Sequence, residues 1–203
     1  MLSSDSLHEM LRQFDRRNVI LDNELDFQHE IEKYLSSQRY DVETEYKTNI
    51  ENKNASVDFL VKDGGKLTLI ELKYKIIKPG NIIANFVYDF FKDIHRIEYL
   101  LDNNPKIDDG FCIFLSNDSR FWEGTRTRNP NANAREFELY DGYILTGIKT
   151  WYNKKNNPNL AKNYPPIKIR GRYTIVWQNY GHMFVPGQTE MLFKYTLVHI
   201  TRN

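Results

Sequence analysis

The sequence predicts an α/β fold in which a mixed β-sheet is flanked by helices. Three features predict it: apolar strands at 57–61 and 67–73 joined through Gly64-Gly65, a strongly periodic helix over 81–102, and an apolar run at 111–115. A strand–helix–strand order in one sheet implies a right-handed crossover, so the run at 111–115 is expected to lie parallel to 67–73. With 203 residues, 40% of them hydrophobic and 27% charged, the chain can bury a sizeable core as one domain spanning 1–203.

Each element has its own signal. Leu7, Met10, Leu11 and Phe14 recur at helical spacing over 5–17, with Ser4 or Asp5 as the expected cap. A second helix over 23–37 starts at the capping residue Asn23 and carries Phe27, Ile31, Tyr34 and Leu35 as its apolar stripe. Glu30 falls at the border of that stripe, where it can lean into a cleft; a solvated flank is the competing reading. Strands follow at 42–47, 57–61 and 67–73. Gly64-Gly65 suits a two-residue hairpin, because both glycines tolerate the positive φ that the favoured turns require. If Asp63 and Lys66 flank that turn, Asp58 lies opposite Glu71, and Lys73 projects on the same face as Glu71.

The helix over 81–102 places Ile83, Phe86, Val87, Phe90, Ile94, Ile97 and Leu101 on one side. Asp89, Lys92, Asp93 and Arg96 form a charged side whose spacing allows ion pairs. Residues 119–135 and 153–166 read as long loops, and 143–146, 172–177 and 193–200 as strands or strand pieces. The expected arrangement is a core over about 23–116 followed by a loop-rich β extension whose basic part covers about 142–203.

Net charge is +1, from 28 Lys and Arg against 27 Asp and Glu, but the charge is unevenly distributed. Residues 142–203 hold nine bases and one acid, a net +8, which leaves −7 for residues 1–141. An acidic portion that can collect cations and a basic portion that can meet an anionic polymer is the functional reading; a chance split of solvated charges is the other.

Asp58, Glu71 and Lys73 sit on strands apolar enough to be buried. Two facing carboxylates there cost several kcal/mol unless a cation or proton compensates. A divalent metal does so, and facing carboxylates with a backbone carbonyl and water suit Mg²⁺. Asp58, twelve intervening residues, then Glu71-Leu72-Lys73 on a hairpin, preceded by a helix with Glu30, resembles the PD-(D/E)xK phosphodiesterase superfamily. The resemblance covers about 23–116 and implies a restriction-endonuclease-like core. By position it implies that Asp58, Glu71 and the Leu72 carbonyl hold Mg²⁺, with Mn²⁺ as a substitute. Lys73 would position or activate the attacking water, and Glu30 would be an accessory acid. Val57 stands where the motif's proline would be.

The expected activity is metal-dependent hydrolysis of DNA, with RNA as an alternative substrate. A non-catalytic nucleic-acid-binding or protein-interaction module on the same fold is the competing class, and a homodimer is compatible with either. Lys154, Lys155, Lys168, Arg170 and Arg172 in the basic tail, and Arg126, Arg128 and Arg135 in the long loop, are the expected phosphate contacts. Trp151, Tyr152, Tyr164, Tyr173, Trp177, Tyr180 and Phe184 interleave with the tail's bases and could stack on bases or belong to the core.

Other chemistries lack their residues. Arg12 and Lys33 stand where His8-Glu9 and His29-Glu30 would need a second zinc-binding histidine, and no dinucleotide, P-loop or serine-hydrolase signature occurs. The single cysteine, Cys112, lies in the apolar run and reads as a buried strand residue. There is no signal-peptide pattern at the start and no run of about 18 apolar residues, so a reducing cytoplasm is the expected setting.

Overall fold

In the computed structural model, which describes residues 2–16, 19–77, 80, 82–124, 134–152, 160–184 and 190–202, helices α1 (Ser4–Arg16) and α2 (Glu24–Ser37) come first. Strands β1 (Asp41–Ile50), β2 (Lys53–Asp63) and β3 (Lys66–Lys75) follow, then α3 (Ile83–Asn103), β4 (Asp109–Ser116) and the single turn α4 (Arg120–Glu123). The remainder is β5 (Ile144–Lys149), α5 (Leu160–Asn163), β6 (Ile167–Thr174), β7 (Trp177–Phe184) and β8 (Glu190–Thr201). Six strands form one sheet in the order β1-β2-β3-β4-β8-β7, and β5 pairs with β6 in a separate ribbon. The six-strand sheet is mostly antiparallel; β3 and β4 run parallel, as the crossover through α3 requires.

Local chemistry accounts for the elements. Asn23 Oδ1 accepts the Leu25 and Asp26 amides at 2.8 and 3.1 Å, satisfying two donors at the start of α2. The cap of α1 differs from expectation. Ser3, not Ser4 or Asp5, exchanges hydrogen bonds with Ser6, each backbone N–H donating to the other's hydroxyl. At the β2–β3 hairpin Asp63 pairs with Lys66, and both turn glycines have positive φ, 55° and 92°.

Alternation along β4 builds two cores. Phe111, Ile113 and Leu115 face α1 and α2, where they meet Phe14, Phe27 and Ile31, while Cys112 and Phe114 face α3 and the β5–β6 ribbon. A strand covered on both faces reads as a continuous apolar run, and each buried Phe or Ile contributes roughly 1.5–3 kcal/mol. Two of the sheet's strands, β8 and β7, come from beyond residue 142, and β8 lies directly against β4. The stretch expected as one strand at 172–177 is divided: Thr174 ends β6 and Trp177 begins β7. Among the described residues, no helix is long and apolar enough to cross a membrane.

Candidate active site where the second and third strands meet the third helix

The hairpin register brings the predicted residues together. Paired positions run from Asp63–Lys66 to Phe59–Ile70, and Asp58 stands one step beyond the last pair, at the level of Glu71. Here β2 changes its facing. Val57 packs in the core under α3 and Phe59 in the core under α2, although residues two apart on a regular strand share a face. Across from Asp58 on β1, Glu45 has φ 51°, a left-handed conformation that strains a residue with a Cβ. The distortion frees Asp58 from the ladder, and its Oδ2 instead accepts the Leu72 N–H at 2.6 Å.

Glu71 and Lys73, two residues apart on β3, face α3. Glu71 is 3% exposed and forms an ion pair with Arg96, whose guanidinium also donates to the Ser56 carbonyl at 3.2 Å. Lys73 Nζ lies 3.1 Å from Asp93 Oδ2, and Asp93, also 3% exposed, sits 3.5 Å from Arg96 through its other oxygen. Three carboxylates, Asp58, Glu71 and Asp93, therefore share two cations, Lys73 and Arg96. Burial and this surplus of negative charge set the protonation equilibria. Burial pushes Asp58 up to about 6, against the Leu72 N–H and the Lys73 ammonium, with Asp93 and Glu24 adding to the rise. Burial and then Asp93 hold Glu71 well above the ordinary carboxylate range despite Arg96. Asp93 itself is raised by burial, which outweighs Lys73 and Arg96. Burial works against the Lys73 ammonium, but Asp93, Glu24 and Glu71 outweigh it and raise its pKa, so Lys73 is charged at neutral pH.

The helix acid beside this cluster is Glu24, not Glu30. Glu30 pairs with Lys33 one turn along α2 at 2.6 Å. Glu24, in the first turn of α2, accepts the Tyr74 N–H at 2.9 Å and lies 3.6 Å from Lys75 Nζ. Together with Leu25, Gln28, Glu45, Asp58 and Leu72 it lines a hollow of about 260 Å³. The first-turn position after the Asn23 cap was the available sequence signal for Glu24; the hydrophobic stripe pointed one face away.

The expected phosphate contacts have separate fates. Arg126, Arg128, Lys154 and Lys155 lie outside the described residues. Lys168 and Arg172 are exposed on β6, which packs on α3. Arg170 is engaged: it pairs with Asp102 and donates to the Thr201 carbonyl at 3.3 Å. The Arg135 guanidinium lies 3.9 Å from the centre of the Tyr152 ring. Most of the interleaved aromatics belong to the core. Trp151 stacks on Tyr164 at 4.2 Å, Trp177 donates from Nε1 to the Leu139 carbonyl at 2.6 Å, and Tyr173 donates to Glu98 at 2.8 Å. The exceptions are Tyr152, half-buried outside both cores, and Phe184, 66% exposed.

Among the described residues no three His, Cys, Asp or Glu side chains converge as a complete metal-binding set. Two carboxylates with a negative surplus around them suit a largely hydrated Mg²⁺, which takes one or two carboxylates and completes its shell with water and substrate phosphate. No protein-family model and no curated protein matches the chain. One solved structure, a crystal structure of SSO0001, is similar at 18% identity over 44% of each chain with a TM-score of 0.26.

Proposed function

We propose that the protein is a Mg²⁺-dependent endonuclease that hydrolyses DNA phosphodiesters on a restriction-endonuclease-like core. The carrying observation is the buried cluster in which Asp58 and Glu71 lie at one level of adjacent strands, with the charged Lys73 two residues along from Glu71 and more carboxylates than cations. Asp58 and Glu71 would hold the metal, which supplies a Lewis acid and lowers the pKa of the attacking water. Lys73, kept protonated by Asp93, adds positive charge where the pentavalent phosphate develops negative charge. Asp93 positions Lys73, and Arg96 holds Glu71 until a stronger cation takes its place. Glu24 occupies the accessory position assigned above to Glu30.

Incubation of supercoiled, linear, branched and single-stranded DNA, and of RNA, with Mg²⁺ or Mn²⁺ tests this reading. Cleavage of DNA is expected, with loss of at least about a hundredfold in Asp58→Ala and Lys73→Ala while circular dichroism stays that of the parent. Cleavage that survives both changes contradicts the site.

One observation favours a second reading, a non-catalytic nucleic-acid-binding module on the same core: Arg96 already neutralises Glu71. That reading expects salt-sensitive binding and no turnover with any divalent metal.

A further inference from the structure

The β1–β2 hairpin reaches past the rest of the sheet. Strand β3 pairs with β2 only from Phe59 onward, so Lys53–Val57 of β2 pair with β1 alone, as a two-stranded ribbon. Its tip is a two-residue turn, Glu51-Asn52, with φ of 51° and 63° between the paired Ile50 and Lys53. Tyr46 and Ile50 rest against the core under α3 and anchor the ribbon, while Lys47, Asn49 and Asn54 are exposed. Lys47, Thr48, Asn49, Asn54, Ala55 and Ser56 line an open trough of about 580 Å³.

The chemistry changes sharply along this ribbon. At the level of Asp58 the lining is acidic, with Glu24 and Glu45; two residues further along it contains a lysine, amides and hydroxyls and no carboxylate. Asn49 and Asn54 are directly paired across the ladder, so two carboxamides stand side by side. Asparagine is a poor strand former, and two of them facing each other near a strand end contribute little to folding. A carboxamide is suited to bidentate hydrogen bonding with the N6/N7 edge of adenine, and a major groove about 12 Å wide admits a two-stranded ribbon.

Asn49 and Asn54 lie on the ribbon face opposite Tyr46 and Ile50. The Ser56 carbonyl, in the wall of the trough, accepts from the arginine that pairs with Glu71, so trough and site are joined.

We infer that this ribbon enters the major groove of duplex DNA and that Asn49 and Asn54 read adenine there. Lys47 contacts a backbone phosphate. Duplex DNA as the partner rests on the nuclease reading, whereas groove recognition can be measured without cleavage.

The test selects bound sequences from a randomised duplex library using the full chain in EDTA. The parent is expected to enrich adenine at defined positions, with a preference of about 5- to 150-fold. Asn49→Ala and Asn54→Ala, singly and together, are expected to flatten that preference while bulk duplex binding stays within about threefold. Lys47→Ala should weaken binding to all sequences alike and reduce the salt slope by about one. Both side chains are exposed and neither substitution empties the core, so the variants are expected to fold as the parent does. A parent with no base preference, variants that keep it, or stronger binding to duplex RNA, whose deep narrow major groove excludes a ribbon, would overturn the inference. Addition of Mg²⁺ to the selected duplex separates the two claims: enrichment without cleavage removes the nuclease reading and leaves the ribbon's role intact.

Discussion

Asp58 shows how far the site departs from what folding alone would select. Its carboxyl is raised to about 6 by burial, so the folded protein binds a proton there more tightly than the unfolded chain. The sign of the linkage follows. Stability falls as pH rises from about 4 through about 6, and the ionised carboxylate is a cost at neutral pH. In a chelator at pH 8, Asp58→Asn is therefore expected to raise stability by about 1–2 kcal/mol, or roughly 3–6 °C in Tm, with the gain vanishing near pH 4. Thermal melts at the two pH values check this; an unchanged or lowered Tm at pH 8 would mean that Leu72 and Lys73 already compensate the charge. A cation bound beside the ionised carboxylate would remove that cost and stabilise the fold.

At the scale of elements, α3 is the hub. Its apolar side was legible in the sequence because seven hydrophobic residues recur with helical period. Its charged side was legible only in part. Asp89 and Lys92 form an exposed pair at 3.7 Å, whereas Asp93 and Arg96, close to them on the wheel, are drawn inward by Lys73 and Glu71 on β3. No single-helix pattern distinguishes the two pairs, because the distinction is made by partners on another strand. The outer side of α3 carries a second device. Glu98, 2% exposed, accepts the Arg170 and Gly171 amides at 2.9 and 2.7 Å and the Tyr173 hydroxyl, which fastens β6 to the helix. Glu98→Ala leaves three donors without their acceptor and is expected to cost about 3 kcal/mol, with faster amide exchange concentrated in β6. Urea unfolding and hydrogen exchange measure both, and a cost below about 1 kcal/mol would show that β6 is held by its apolar contacts alone. Strand β7 went unread because Gln178, Asn179 and His182 break any alternation and the ladder shifts register between Asn179 and Gly181.

Over the whole molecule, the opposing charges of the two portions serve the fold as well as any partner. Arg170 pairs with Asp102, and Arg202 donates to the carbonyls of Leu101, Asn104 and Ile107 at and beyond the end of α3. Part of the +8 tail thus ties the C-terminal strands to the acidic portion, and among its described lysines and arginines Lys168 and Arg172 stand exposed on β6. The hairpin register and the parallel β3–β4 pair followed from short-range pattern, since a tight turn and a crossover fix them. The insertion of β8 beside β4 joins residues about 80 apart, and nothing in the local sequence of either strand encodes that pairing.

If Asp58 and Glu71 together hold a divalent cation, an anomalous difference map from crystals grown with Mn²⁺ will locate it. A peak is expected within coordination distance of both carboxylates, with Arg96 withdrawn from Glu71 and no peak in Asp58→Asn crystals. A map without a peak at that position, with Arg96 still paired to Glu71 at saturating Mn²⁺, would contradict that binding.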